Sequence, residues 1–172
     1  SLENAVHRQN YDWLRAWARF QTIDMQSPRT WSFFGASQQK LEELVTHELT
    51  HCAMYQLAGD ELTWMYKDIP RWFSEGVARV AAGQGYRQAS VEELGAYYQE
   101  RLPGSGDGDR SSRGRAAALL RPQPGDPIVD TEPLYQEQSQ IVYGAAHHAV
   151  EFLVARYGEA RVIETVRLMG TG

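Results

Sequence analysis

The chain has 172 residues, of which 42% are hydrophobic and 11% aromatic. This length and composition predict one globular domain, residues 1–172, with a hydrophobic core, and they argue against a disordered chain. The net charge of −5 gives no general case for nucleic-acid binding. No stretch approaches the roughly 20 apolar residues that a membrane span requires, so we expect none.

Two features of the composition bear on the cellular compartment. The chain begins at Ser1, with neither a methionine nor a signal-like apolar run. We therefore expect a trimmed chain, and a removed signal segment would be consistent with a secreted or cell-envelope protein. The single cysteine, Cys52, excludes an internal disulfide bond and a cysteine-based zinc site. We interpret it as a small buried apolar side chain rather than a redox group.

The first third of the chain predicts a helix, a strand and a second, longer helix. Apolar residues recur at mostly helical spacing over residues 5–20, and residues 19–26 then alternate polar with apolar, which is typical of a half-buried strand. The clearest helix runs from about residue 38 to residue 58, where apolar side chains recur every three or four positions. Gly59 supplies its end.

The rest of the chain completes a mostly helical α+β fold. Pro70 is well placed to open a helix over residues 71–82, and the capping box that begins at Ser90 predicts another over residues 91–101. Residues 103–114 carry almost nothing apolar and predict a flexible exposed loop. The last predicted elements are a long amphipathic helix from about Leu134 to Tyr157 and a terminal helix over residues 159–169.

The segment His47-Glu48-Leu49-Thr50-His51 places two histidines four positions apart on the predicted helix over residues 38–58. Positions i and i+4 lie on one face of a helix, so both imidazoles can reach one metal ion. Glu48 projects beside that pair, where it can act as a base. Because zinc hydrolysis at neutral pH needs neutral nitrogen donors and a nearby base, the segment is a zinc-peptidase signature.

A catalytic zinc site usually has three protein ligands, and the two histidines leave one to be found. The best candidate is Glu75, which follows His51 by 24 residues and lies on the next predicted helix among aromatic neighbours. The alternative is that Glu75 is an exposed acid near a helix N-terminus, where the helix dipole favours negative charge.

The motifs together resemble those of the gluzincin zinc metallopeptidases, which include thermolysin-like proteases and aminopeptidases. The similarity is greatest to the compact peptidase MA-like branch, and it spans roughly residues 38–158. The first segment is residues 43–51, the second is residues 70–76, and the third combines residues 143–147 with Leu153 and Tyr157-Gly158. The first segment is specific, the second is specific in combination with it, and the third is the least specific.

This resemblance implies a zincin-like metallopeptidase fold with a small N-terminal sheet. It also implies that zinc is bound by His47, His51 and Glu75, with Glu48 as the general base. In the family an edge strand beside the motif helix pairs with an extended peptide, which would be the role of residues 19–26.

A further implication is a tyrosine or histidine on a later helix, which donates a hydrogen bond to the developing oxyanion. Tyr143 is our first choice for this donor, and His147, on the same helix face, is a close second. Some relatives carry an acidic residue four positions after the ligand glutamate to steady a histidine. Arg79 occupies that position here, so the sequence does not identify that supporting group.

The sequence therefore predicts a zinc-dependent peptidase that hydrolyses a peptide or protein substrate with zinc-activated water. The alternative is a catalytically silent domain that keeps the peptidase fold and serves as a binding or regulatory module. The sequence assigns no cleavage specificity, no endopeptidase or exopeptidase action, no latency and no oligomeric state.

Overall fold

The structure, a computed structural model, describes residues 15–32, 35–101 and 139–171. The described part is mostly helical with one small sheet, as predicted. The predicted loop at residues 103–114 and the helix before residue 139 lie outside it. The strands are β1 (Ala16–Ala18) and β2 (Ile23–Met25), and the helices are α1 (Gln38–Ala58), α2 (Arg71–Ala81), α3 (Val91–Arg101), α4 (Ser139–Tyr157) and α5 (Glu159–Met169).

Strands β1 and β2 form an antiparallel hairpin in which Trp17 lies opposite Asp24. The predicted helix over residues 5–20 is therefore wrong at residues 16–18, while residues 1–14 lie outside the described part. The large apolar residues are spaced as in a helix, which is why a helix was predicted. In the structure the two alanines of β1 are buried and Trp17 between them is exposed, and this alternation is typical of a strand. The predicted strand over residues 19–26 is confirmed at residues 23–25.

Helix α1 lies at the centre of the domain, and its bounds agree with the prediction. The Ser37 hydroxyl accepts a hydrogen bond from the Lys40 amide, which caps the first turn, and Gly59 ends the helix. The main apolar cluster joins α1 to the later helices through Met54, Ala58, Phe73, Val150, Val162 and Val166.

Helix α2 packs closely against α4 because position 76 is a glycine. A Cβ atom at Gly76 would lie 2.6 Å from Val150 Cγ2 and closer still to the Ala146 carbonyl oxygen. The two backbones can therefore approach at a distance that no other residue type permits. Since Gly76 directly follows Glu75, this contact also fixes the position of Glu75 relative to α4.

The later helices agree with the predicted bounds where the structure describes them. The capping box before α3 is present, because the Ser90 amide donates to the Glu93 carboxylate at 2.7 Å and the Glu93 amide donates to the Ser90 hydroxyl at 3.2 Å. In the described residues, no helix combines the length and the apolar character needed to cross a membrane.

Candidate metal centre

Three predicted ligands converge between helices α1 and α2. The Nε2 atoms of His47 and His51 lie 3.2 Å apart, and the Glu75 carboxylate oxygens lie 3.5 Å from the first and 3.7 Å from the second. Both histidines are buried, and the Glu75 side chain is 17% exposed. The alternative in which Glu75 is a plain surface acid does not describe this structure.

The tautomer of His47 follows from a buried glutamine. Gln84 donates from Nε2 to the Glu43 carbonyl oxygen at 3.3 Å, which orients its amide, and its Oε1 faces His47 Nδ1 at 3.1 Å. Because an amide oxygen only accepts, His47 must carry its proton on Nδ1. The lone pair of Nε2 is thereby directed at the other two ligands, which is the usual arrangement of a metal-binding histidine.

The electrostatics keep the ligands in the forms that bind metal. Burial lowers the pKa of His51 to about 4, although Glu75 opposes that shift. For Glu75, burial would raise the pKa, but its interactions with His47 and His51 and the charge of Arg79 outweigh burial and lower the pKa to about 2. A neutral His51 and an ionised Glu75 therefore prevail at neutral pH.

These residues fit a zinc ion. Bonds of about 2.0–2.1 Å at tetrahedral angles place ligand atoms roughly 3.3 Å apart, close to the separations found here. Two neutral nitrogens and one carboxylate are donors that zinc prefers, and they leave one position open. His51 Nδ1 is buried and has no hydrogen-bond partner among the described residues. The donor set could therefore hold a metal ion.

Glu48 lies on the buried face of α1 beside the two histidines, and it lines the same cavity. Burial and the neighbouring Glu75 raise the pKa of the Glu48 carboxyl, whereas His47 and a hydrogen bond to the Ala18 backbone lower it by less. A raised pKa makes this carboxylate a stronger base than an exposed glutamate.

Tyr143 reaches the cavity from α4, and Arg79 of α2 lies against its ring. The Arg79 guanidinium carbon is 3.5 Å from the ring centroid, and Arg79 Nε is 3.9 Å from a Glu75 oxygen. Burial and Glu75 raise the pKa of the Tyr143 hydroxyl to about 12, against the opposing charges of Arg79 and Arg71. The hydroxyl therefore stays protonated at neutral pH and can donate a hydrogen bond.

His147, the second predicted donor, is not among the residues that line this cavity. Its Nε2 lies 3.3 Å from Glu151 Oε1, and its ring fills the space beside Gly85, where a Cβ atom would lie 2.8 Å from His147 Cε1. His148 lies 2.8 Å from the other Glu151 oxygen. These three side chains could also hold a cation, but ion pairs one turn apart on a helix explain their positions.

The centre opens into a cavity of about 770 Å³. Residues 16–18 of β1 form one wall, α1 and α2 carry His47, His51 and Glu75, and Tyr143 comes from α4. Cys52 is buried on α1, as predicted, and its thiol donates to the Arg19 carbonyl oxygen at 2.9 Å, which ties the hairpin to this helix. β1 is therefore held beside the candidate centre.

Sequence reasoning missed the role of Gln84. It lies 37 positions after His47, and no local pattern distinguishes it from an exposed glutamine in a turn. The one indication of its role is that Gln84, a polar residue at a turn, is almost fully buried. That burial can be seen in the structure but not in the sequence. Arg79 was noticed as a departure from the family pattern, but its contact with Tyr143 was not predicted.

Comparisons with known proteins give no independent guide to function. The chain matches no family model, no curated protein and no solved structure. The features that bear on function are the geometry of His47, His51 and Glu75, the Glu48 carboxylate beside them, and the cavity into which they open.

Proposed function

We propose that the protein is a zinc-dependent peptidase whose zinc ion is held by His47, His51 and Glu75. The observation that carries the proposal is the convergence of two buried histidines with Glu75, at distances of 3.2–3.7 Å between their nitrogen and oxygen atoms. Glu48 lies beside the histidines on the same helix. When bound, zinc would lower the pKa of water and polarise the scissile carbonyl group. A metal-binding role alone would not require a basic carboxylate in the same cavity.

The side chains of this cavity supply the remaining steps of peptide hydrolysis. Glu48 accepts the proton of the attacking water and passes it to the departing amine. The Tyr143 hydroxyl donates a hydrogen bond to the oxyanion that develops on the carbonyl group. Such a donor costs little reorganisation during the reaction, because Arg79 holds the ring in place.

Strand β1 provides a place for the substrate backbone. Within the described residues it pairs with β2 alone, and its residues line the cavity. An extended peptide can therefore add to the edge of β1 that does not pair with β2, where the Ala18 backbone hydrogen-bonds Glu48, and lay its scissile bond over the proposed metal ligands. This arrangement suits a peptide better than a compact small molecule.

The test combines elemental analysis with cleavage of a fluorogenic peptide library by the protein and its Glu48→Gln variant. We expect about one zinc per chain in both proteins and a loss of roughly 10²–10⁴-fold in kcat/KM for the variant. The matched control is Glu42→Gln, an exposed position on the same helix, which should retain full activity.

Two outcomes would contradict the proposed function. Equal cleavage by Glu48→Gln and the parent would remove Glu48 from the mechanism. Full zinc occupancy without cleavage of any peptide would favour the alternative, a peptidase-fold domain that binds a partner.

A further inference from the structure

Tyr55 is a second tyrosine that lines the cavity, and no step of the proposed reaction uses it. It lies on α1, four positions after His51 and seven after Glu48, so the three side chains share one face of the helix. Long side chains on a helix lean towards its N-terminus, which directs Tyr55 towards His51. Because a tyrosine side chain is longer than a histidine side chain, the Tyr55 hydroxyl can extend past the imidazole into the cavity.

Two ring contacts hold the Tyr55 side chain in place. The Tyr55 ring is nearly parallel to the His51 ring, with 6.2 Å between the centroids and 18° between the planes. On its other neighbour, the Trp64 ring, the distance between centroids is 4.5 Å. A phenylalanine at position 55 could make both contacts. The packing of the ring therefore gives no role to the hydroxyl.

The Tyr55 hydroxyl is available as a hydrogen-bond donor. Burial and the charges of Glu75 and Glu48 raise its pKa to about 12, and within the described part of the chain no hydrogen bond contributes to that shift. The hydroxyl is therefore protonated at neutral pH and can donate to a group that enters the cavity. Because a half-buried hydroxyl without a partner is unfavourable, a substrate atom that accepts its hydrogen bond gains affinity.

We propose that the Tyr55 hydroxyl binds the substrate by donating a hydrogen bond to a backbone carbonyl oxygen of the peptide. The inference rests on the proposed peptidase function and adds a substrate-binding residue to it. Tyr55 comes from α1 and Tyr143 from α4, so the two hydroxyls reach the cavity from different helices. An extended peptide advances roughly 3.3 Å per residue, so two separated donors meet different carbonyl groups.

This assignment gives the two tyrosines different kinetic effects. Tyr143 donates to the carbonyl group that is attacked, where the negative charge develops, so its hydrogen bond strengthens in the transition state. Tyr55 donates to the carbonyl group of a neighbouring residue, whose charge does not change during the reaction. Its hydrogen bond is equally strong in the ground state and in the transition state, and it therefore acts on KM rather than on kcat.

The first test compares Tyr55→Phe with the parent protein on an extended fluorogenic peptide. We expect KM to rise by about 3–10-fold with kcat nearly unchanged. The zinc content should not change, because phenylalanine keeps both ring contacts. The matched control is Tyr66→Phe, which removes a hydroxyl from an 81% exposed residue outside the cavity lining and should alter neither constant.

Three outcomes of this comparison would overturn the inference. An unchanged KM in Tyr55→Phe would show that the substrate does not use the hydroxyl. A loss confined to kcat would place Tyr55 at the reacting carbonyl group, and a reduced zinc content would make the hydroxyl a support of the centre instead.

A series of modified peptides identifies the group that accepts the hydrogen bond. In each peptide one bond beside the scissile bond is replaced by a carbon–carbon double bond of the same shape, which removes the carbonyl oxygen. At one position the parent should lose about 3–10-fold more affinity than Tyr55→Phe. The lost amide hydrogen is common to both proteins and cancels in the comparison. Equal losses in the two proteins at every position would contradict the inference.

A binding measurement separates this inference from the proposed function. The zinc-loaded Glu48→Gln variant and the Glu48→Gln/Tyr55→Phe double variant are titrated with the unmodified peptide, and fluorescence anisotropy reports Kd. A Kd that is about 3–10-fold weaker in the double variant supports the inference even if the parent protein cleaves no peptide. Equal Kd values, or binding of no peptide by either variant, overturn it. Equal Kd values together with cleavage by the parent would remove Tyr55 and leave the proposed function standing.

Discussion

At the scale of single residues, Gln84 determines which ring nitrogen of His47 carries the proton. The His47 Nδ1 proton is directed at Gln84 Oε1, which leaves Nε2 to face His51 and Glu75. Gln84 is itself held by the Glu43 carbonyl oxygen, on the helix that carries His47. His47 is therefore oriented by a residue that is not itself one of the candidate metal ligands.

This arrangement predicts the effect of removing the amide. Gln84→Leu should weaken zinc binding by about 10–100-fold, because His47 loses the acceptor that fixes its tautomer and ring orientation. Gln84→Glu keeps an acceptor oxygen and should retain most of the affinity. Competition with a chromophoric chelator measures both variants, and Gln38→Ala, at an exposed position, is the control. Unchanged affinity in Gln84→Leu would remove Gln84 from the support of the centre.

Whether Tyr143 or His147 donates the hydrogen bond to the oxyanion is also a question about single residues. Tyr143→Phe should lower kcat by roughly 10²–10³-fold and leave the zinc content unchanged, because only the donor to the oxyanion is lost. Tyr157→Phe, an exposed tyrosine at the end of the same helix, should be silent. A large loss of kcat in His147→Asn together with an active Tyr143→Phe would reverse the assignment.

At the scale of elements, the centre depends on the fit of α2 between α1 and α4. The ligands come from α1 and α2, while α4 supports α2 from behind through the contact at Gly76. Glu75 and Gly76 are neighbours, so one faces the metal position while the other faces α4. A shift of α2 away from α4 would therefore move a ligand.

Gly76→Ala tests this dependence. The added methyl group meets the Ala146 backbone and Val150, so we expect a loss of roughly 1–3 kcal/mol in the free energy of unfolding and weaker zinc binding. Gly95→Ala is the matched control, because a Cβ atom there meets nothing within 4 Å and alanine favours the helix by up to about 1 kcal/mol. Urea denaturation and zinc titration of both variants give the comparison. A stable Gly76→Ala protein with normal zinc affinity would contradict it.

The elements that were predicted correctly are those with local start and stop signals. Gly59 after α1, Pro70 before α2 and the capping box at Ser90 all lie at the helix ends that the structure shows. The N-terminal segment was misjudged because its aromatic spacing fits a helix, whereas the small alanines that actually face α1 gave no strong signal. Its strand is stabilised by the pairing with β2 and by contact with α1, which a local pattern does not contain.

At the scale of the whole molecule, the sequence predicted which residues are the candidate metal ligands, but it did not predict which side chains surround them. His47, His51 and Glu75 were predicted from a motif and from helix order, and the structure brings them together. The contacts of Gln84 with His47 and of Arg79 with Tyr143 join distant segments, and only the folded chain defines them.

Burying these ionisable groups makes the stability of the metal-free protein depend on pH. Between pH 6.5 and about 4 the unfolded chain protonates His51 but the folded chain does not, so this residue lowers the free energy of unfolding as pH falls. Glu75 acts in the same direction between pH 4.5 and about 2. Glu48 opposes them above pH 4.5, because its raised pKa makes the folded chain bind more protons.

Two variants separate these contributions in the presence of a chelator. From pH 4 to 6.5, His51→Asn should show a smaller increase of unfolding free energy with pH than the parent, because the depressed histidine is gone. Glu48→Gln should show a larger increase, because it removes the opposing group. Urea midpoints across this range provide the measurement, and parallel slopes in all three proteins would refute the assignment.

The position of Arg79 beside Glu75 has a consequence for metal exchange. Arg79 Nε lies 3.9 Å from a Glu75 oxygen, and the positive charge of the guanidinium group reduces the negative potential that would attract a divalent cation. If a metal ion is bound, the coordination position that three protein ligands leave open and the wide cavity would also make the ion accessible to small chelators. We therefore expect zinc to exchange readily, so that cobalt can replace it under mild conditions. The visible absorption of the cobalt protein would then report the ligand geometry directly, without any substrate.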